Sequence, residues 1–258
     1  MATRKPEDSF NQMAPIYDMY RGVDAQVLEY LSRRVKARTS GRGQALLDIG
    51  CGTGRYSIQL AEAYGLQLTG VDVSEKMLNQ ASEKHPSGVW LLKPIEEAGF
   101  GDGSFDFILM SYVIHHLKNY PRTLSDCNRY LRPSGALFIV TDSHEQFRNS
   151  YYDRLVPRIL EIDLNRFPDI ATLCGKLTRI GFKVDVTELS KRNTVSCIRD
   201  VEDIVEKIRR RYVSTLTYLT DDELETGARR VEEYLLSELR KGPVVEDRVK
   251  TVIEAAKP

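Results

Sequence analysis

Strand-like and helix-like segments alternate along this chain, and the alternation predicts an α/β fold built on a mainly parallel sheet. Three observations carry that expectation. Short strand-like segments recur at Ala45–Ile49, Gln67–Val71, Val89–Leu92, Phe105–Met110 and Ala136–Val140. The segments between several of them space their apolar residues as helices do. The first run ends in a cluster of glycines, as a sharp strand-to-helix turn requires. A length of 258 residues suits one large domain, or one domain with a substantial insertion.

Each element follows from local chemistry. Ala45–Ile49 reads as a buried strand, and Arg55–Tyr64 follows with Ile58, Leu60, Ala61 and Tyr64 at helical spacing. Gln67–Val71 is the second strand, closed by Asp72. Ser74 is placed as an N-cap, with Met77, Leu78 and Ala81 on one face of the helix it opens. Val89–Leu92 and Phe105–Met110 are strands three and four; Pro121 begins a helix to Leu131; Arg132–Gly135 is a turn; Ala136–Val140 is strand five. Beyond Thr141 the expectation is a helix over His144–Leu164, kinked or divided at Pro157. Next come a helix over Ile170–Ile180 stopped by Gly181, and a strand at Phe182–Val186. Val201–Tyr218 and Asp221–Leu239 read as two charged amphipathic helices, the second broken by Gly242-Pro243. Arg248–Ala255 alternates as a last strand, with a helix as the competing reading.

Composition narrows the function classes. Lys+Arg and Asp+Glu are both 37, which argues against a surface that tracks nucleic acid or anionic lipid throughout. No apolar run approaches the roughly 20 residues that span a bilayer, and the polar Met1–Asp8 lacks the apolar core of a secretory signal. Cys51, Cys127, Cys174 and Cys197 show no Cys-x-x-Cys spacing, so neither a disulfide framework nor a metal site is expected. A cytoplasmic protein is the expectation. The basic stretches Arg33–Arg42 and Arg209–Arg211 lie among or near acids and read as solvated helix faces.

The strongest motif is Asp48-Ile49-Gly50-Cys51-Gly52-Thr53-Gly54. It is not the dinucleotide fingerprint, whose final glycine would fall on Arg55, nor a P-loop, since no Gly-Lys-Ser/Thr follows. Asp48 disfavours a pyrophosphate and favours an ammonium or sulfonium. Asp72, at the end of the neighbouring strand, is placed to accept both hydroxyls of a ribose; alone it could simply help cap the next helix, a reading that the ensemble of residues disfavours.

Together these residues resemble the class I S-adenosylmethionine-dependent methyltransferases, in their small-molecule (type 11/25-like) branch. The resemblance runs from about Leu46 to Thr141 and includes Asp102-Gly103-Ser104-Phe105-Asp106, Val113-Ile114-His115-His116-Leu117 and Leu131-Arg132-Pro133-Ser134-Gly135. Phe10–Asp18 is similar to that branch's N-terminal helix. The resemblance implies a Rossmann-like, doubly wound, mostly parallel seven-stranded sheet with helical cap insertions. It divides the chain into a closing segment (1–40), a cofactor-binding core (41–142) and a remainder (143–258). That remainder holds cap helices, at about 144–180 and 200–241, and the last two strands. It also implies S-adenosylmethionine as cofactor and S-adenosylhomocysteine as product. Gly50, Cys51 and Gly52 would line its methionine part, Asp48 would support the ammonium and Asp72 the ribose. Val73 would pack on the adenine, and Ser111 would offer its carbonyl to the ammonium. Tyr17 and Arg21 would close over the carboxylate. One departure stands: Lys93-Pro94-Ile95-Glu96 lacks the family's usual acid beside the adenine, so that contact falls to Ile95 backbone or to Glu96.

On the acceptor side the candidate catalytic residues are His116, His115 and Tyr17. Histidine titrates near neutrality and can take a proton from an acceptor; His116 either faces the acceptor or packs at a helix start. His144 is a second candidate base, and Tyr20, Tyr151 and Tyr152 are candidate pocket residues. Thirteen tyrosines against eight phenylalanines favour amphipathic rings, useful around a sulfonium. The expected partner is a small-molecule acceptor, with no nucleic acid, membrane or metal, in a monomer or homodimer. A tRNA or protein acceptor, and a cofactor-binding regulator without turnover, are the rival readings.

Overall fold

The central strands are apolar along their length because both their faces are covered. In the computed structural model, which describes residues 6–39, 41 and 43–258, helices α1 (Pro6–Tyr20) and α2 (Ala25–Lys36) precede strand β1 (Ala45–Ile49). Then come α3 (Ser57–Tyr64), β2 (Gln67–Asp72), α4 (Glu75–Lys84), β3 (Val89–Leu92) and β4 (Phe105–Ser111). They are followed by α5 (Tyr120–Tyr130), β5 (Leu131–Thr141), α6 (His144–Asn149), α7 (Tyr151–Leu155), α8 (Ile159–Arg166) and α9 (Ile170–Ile180). The chain closes with β6 (Lys183–Val195), α10 (Ile198–Arg209), α11 (Asp221–Leu239) and β7 (Val244–Ala256). The expected polar N-terminus up to residue 5, and Ser40 and Arg42 of the basic stretch, lie outside the described residues.

The seven strands form one sheet in the order β3-β2-β1-β4-β5-β7-β6. β1 pairs in parallel with β2 and β4, and β4 in parallel with β5, as the alternation of elements predicts. β7 runs antiparallel to β5, with Thr141 opposite Thr251, so Arg248–Ala255 is strand rather than helix and begins earlier, at Val244.

The chain folds as two compact units. The sheet unit holds the described residues up to Thr141 together with Asp169–Leu189 and Thr251–Pro258. Several of its helices start where the sequence supplies a cap, α3 being an exception. Asp24 Oδ1 accepts from the amides of Gln26 and Val27, and Ser74 Oγ accepts from Met77 N at 3.3 Å. Trp90 fills a place that only glycines leave open: a Cβ on Gly70 would fall 2.4 Å from its ring, and one on Gly54 3.3 Å. The indole nitrogen donates to His85 O at 3.2 Å.

The helical unit holds Asp142–Pro168 and Ser190–Lys250 around its own core, in which Ile159, Ile208, Ala228 and Leu235 are fully buried. Here the structure departs from the sequence expectations for local reasons. His144–Leu164 is three helices, because Ser150 caps α7 and Pro157 is followed by Arg158 at φ +62°. α10 ends at Arg209, where Arg211 turns to φ +52° and a short 3-10 turn, Ser214–Tyr218, follows. α9, expected in the cap, instead buries Leu173 and Leu177 in the same cluster as Ile108 and Leu137 of the sheet, and belongs to the sheet unit. The strand expected at Phe182–Val186 continues as β6 to Val195.

A buried ion cluster ties α2 to β7. Glu254, 1% exposed, meets the guanidinium groups of Arg34 and Arg38, and the Tyr30 hydroxyl donates to it at 3.4 Å. Removing both arginines (Arg34→Met with Arg38→Met) strands a buried carboxylate and is expected to cost about 3–5 kcal/mol. Glu254→Gln keeps a hydrogen-bonding side chain and should cost less; urea unfolding of the two variants checks the order.

Candidate cofactor site

The turn after β1 hangs on the end of β2. The amides of Gly50 and Cys51 both donate to Val71 O, at 2.8 and 3.2 Å. Gly50 has φ +64°, and a Cβ there would lie 2.2 Å from Val113 Cγ2, so the chain must pass this point as bare backbone. Asp72 then joins three segments: its Oδ2 accepts from Gly52 N at 2.8 Å and its Oδ1 from Ser74 N at 2.9 Å. Burial pushes the Asp72 carboxyl up, and the amides of Ser74, Gly52 and Val73 pull it back. A Cβ on Gly52 would meet nothing within 4 Å, so this face of the turn is open.

Asp48, 3% exposed, lies beneath the turn. Burial pushes its carboxyl up to about 7; the Ser57 hydroxyl and the Arg55 charge oppose this, and the Asp72 charge adds to it. Burial likewise raises the Cys51 thiol well above its ordinary value, so Cys51 is a packed residue of the turn rather than a thiolate.

The N-terminal helix is held to this turn chiefly by polar contacts. Thr53 Oγ1 donates to Asp18 at 2.6 Å, Ser74 Oγ to Asn11 Oδ1 at 2.8 Å and Gln80 to Ala14 O at 2.7 Å. Lys84 pairs with Asp18. Arg55 donates to the carbonyls of Arg21 and Gly22 at 3.0 and 3.3 Å. Its guanidinium stands over the rings of Tyr56, Tyr112 and Tyr17, at 4.8, 5.4 and 6.0 Å from their centroids. Sequence reasoning missed Arg55 and Tyr112. The signal available for Arg55 was only its place after the last glycine. None existed for Tyr112, which takes a left-handed φ of +56° at the end of β4.

The structure thus brings Asp48, Gly50, Cys51, Gly52 and Asp72 into one turn, with the half-buried Val73 beside it and Tyr17 and Arg21 joined to it through Arg55. Ser111 ends β4, its hydroxyl buried without a hydrogen-bond partner among the described residues. His115 and His116 lie in a 3-10 turn, Ile114–His116, with ring centroids 4.1 Å apart. His116 also meets the Phe10 ring edge-on at 5.1 Å. Ile95 puts its side chain into the core, and Glu96 is exposed. His144 stands within hydrogen-bond distance, 2.8 Å, of the backbone oxygen of Phe167. Tyr20 is half-buried on α1, whereas Tyr151 and Tyr152 are core residues of the helical unit. Among the described residues no three His, Cys, Asp or Glu side chains are grouped to hold a metal ion.

Residues 47–139, which contain this turn, match the family model of a methyltransferase domain. The chain is 30% identical over 159 residues to the 2-phytyl-1,4-naphtoquinone methyltransferase of Nostoc punctiforme, covering 55% of this chain and 66% of that protein. Over residues 47–139 the chain is therefore similar to the methyltransferase-domain family, whose small-molecule members use S-adenosylmethionine. It is also 29% identical over 233 residues to the biotin biosynthesis bifunctional protein BioHC of Cellvibrio japonicus, covering 88% of this chain and 41% of that one. The chain thus spans less than two thirds of the length of either relative. In fold it is similar to the crystal structure of a methyltransferase from an antibiotic biosynthesis pathway of Anabaena variabilis. The TM-score is 0.75 and the identity 21%, over 92% of this chain and 98% of that one.

The family's cofactor carries an ammonium, a sulfonium and a ribose diol, and the residues here fit such a group. Asp48 has a buried carboxylate oxygen with no hydrogen-bond partner among the described residues. Asp72 is fixed by two amides that leave acceptor capacity on both of its oxygens.

The buried Asp48 makes stability depend on pH. The native carboxyl holds its proton up to about 7, whereas an unfolded one loses it near 3.8. Asp48 therefore contributes stability that is lost as pH rises through that window. Asp48→Asn escapes the loss, so it should melt higher than the parent at about pH 8, with the gap narrowing toward about pH 4. Thermal melts across that range check it; a gap independent of pH would refute the assignment.

Proposed function

We propose that this chain transfers the methyl group of S-adenosylmethionine to a small-molecule acceptor and releases S-adenosylhomocysteine. The observation that carries the reading is the Asp72 carboxylate, locked by the amides of Gly52 and Ser74 beside the glycine turn. When bound, the cofactor supplies a methyl group on a sulfonium, which leaves by in-line displacement without a metal or a strong acid. The chain's task is then to orient and to exclude water.

In this reading Asp72 takes the ribose hydroxyls and Val73 lies against the adenine. The backbone at Gly50, Cys51 and Gly52, with Asp48 and the Ser111 carbonyl, surrounds the methionine part. Ile95 contributes backbone, and Glu96 is the alternative for the adenine amino group. α1 closes the site, with Tyr17 and Arg21 toward the carboxylate, held there by Arg55. His116 is the base where the acceptor atom carries a proton, with His115 and Tyr17 as its neighbours in that role. The equal count of acids and bases supports a small acceptor over a polynucleotide. No helix among the described residues is long and apolar enough to cross a membrane. A cytoplasmic monomer or homodimer completes the reading.

Asp72→Ala should weaken S-adenosylmethionine binding by about 1.5–3 kcal/mol, through the lost charge-assisted bonds and the released Gly52 amide. Calorimetry measures it, and unchanged affinity would sink the ribose assignment. His116→Ala should leave cofactor affinity nearly intact while lowering turnover on a proton-bearing acceptor by roughly 10²-fold or more. Full turnover in that variant would leave the histidine a packing residue.

A further inference from the structure

One buried acid of the cofactor site has no cation paired to it. Asp48 sits near the end of β1, in register with Gly70 of β2 on one side and Leu109 of β4 on the other. It is 3% exposed, and its fully buried Oδ1 has no hydrogen-bond partner among the described residues. No ion pair reaches it among the described residues either. Ser57 faces it from α3, Arg55 and Cys51 from the turn, and Asp72, a like charge, from β2. β4 presents Leu109, which is apolar and fully buried. Arg55 is the cation of this set, and its guanidinium is engaged elsewhere. It donates to the carbonyls of Arg21 and Gly22 and stands over the rings of Tyr17, Tyr56 and Tyr112.

Taking an unpaired carboxylate out of water is far costlier than taking out its protonated form. The empty site therefore holds Asp48 as the neutral acid up to about pH 7, to which burial has moved its carboxyl. A ligand ammonium seated against the glycine turn reverses that balance. It brings the positive charge and the N–H donors that the buried oxygen lacks, and a charge-assisted bond favours the ionised acid.

We propose that Asp48 exchanges its proton for the ammonium of S-adenosylmethionine, so that cofactor binding expels one proton to solvent. This rests on the methyl-transfer reading and adds a regulation of the same site. A ligand that displaces a proton binds more tightly as pH rises, by up to about tenfold per unit, until the empty site has itself lost that proton. Cofactor loading therefore weakens in acid and levels off above about pH 7. Each state of the site is then electrically satisfied, the empty one by the proton and the filled one by the ammonium.

The full chain is titrated calorimetrically with S-adenosylhomocysteine, which keeps the ammonium and undergoes no transfer. Heats measured near about pH 6 in phosphate and in bis-Tris, which differ in ionisation enthalpy, count the protons released. About one proton should leave per ligand bound, and affinity should rise roughly five- to tenfold from about pH 5.5 to about pH 6.5. 5′-Methylthioadenosine keeps the adenine, ribose and sulfur but lacks the ammonium, and should bind without releasing a proton. Asp48→Asn should bind S-adenosylhomocysteine without proton release and with an affinity that is flat over the same range. Its binding of methylthioadenosine should match the parent's, which separates a lost proton from a lost site. Binding of S-adenosylhomocysteine without proton release, equal release with methylthioadenosine, or parent-like release by Asp48→Asn would each overturn the exchange and leave the methyl-transfer reading in place. Absence of S-adenosylhomocysteine binding at every pH would overturn both.

Discussion

A single carboxylate organises the cofactor end of this sheet. Asp72 ends β2, and by accepting from Gly52 and Ser74 it sets the glycine turn on one side and the start of α4 on the other. Neither amide has a partner within its own element, so without the carboxylate each would need water or a ligand. The turn in turn lies so close to Val113 that the segment leaving β4 is fitted to it. The position of His115 and His116, just beyond Val113, follows from that contact.

The N-terminal helix is held differently from the rest of the sheet unit. Its buried apolar anchors, Met13 and Ala14, pack with Met77, while hydrogen bonds and ion pairs to Thr53, Ser74, Gln80, Lys84 and Arg55 do the remaining work. Polar contacts at a partly exposed seam are weak singly and exchange readily with water. The Arg55 guanidinium, among three tyrosine rings, adds a further contact to that seam.

What could be read from sequence was what local chemistry decides. β1 and β4 are largely apolar because they are central strands, and Ser74 is a cap because its hydroxyl sits three residues before an amide that needs an acceptor. Asp48, Gly50, Gly52 and Asp72 were legible because a turn of this kind leaves few residue types open. What stayed hidden depends on partners distant in sequence. Leu173 and Leu177 look the same on a cap helix as on a core helix. Glu254 looks like any strand acid until Arg34 and Arg38 approach it across the fold. Arg55 and Tyr112 acquire meaning only through each other, and the break at Arg211 depends on a left-handed residue that no glycine announces.

Trp90 is the one tryptophan of the chain, and its ring lies against Gly54 and Gly70, with the Cys51 sulfur bordering the same glycine. The chain therefore has a single indole fluorophore, and it sits behind the turn on which the cofactor site is built. Polarity and quenching at that indole follow the packing of the turn, with no second emitter of its kind to blur the signal. The fold has placed an optical gauge where its chemistry is concentrated, readable in the unlabelled protein.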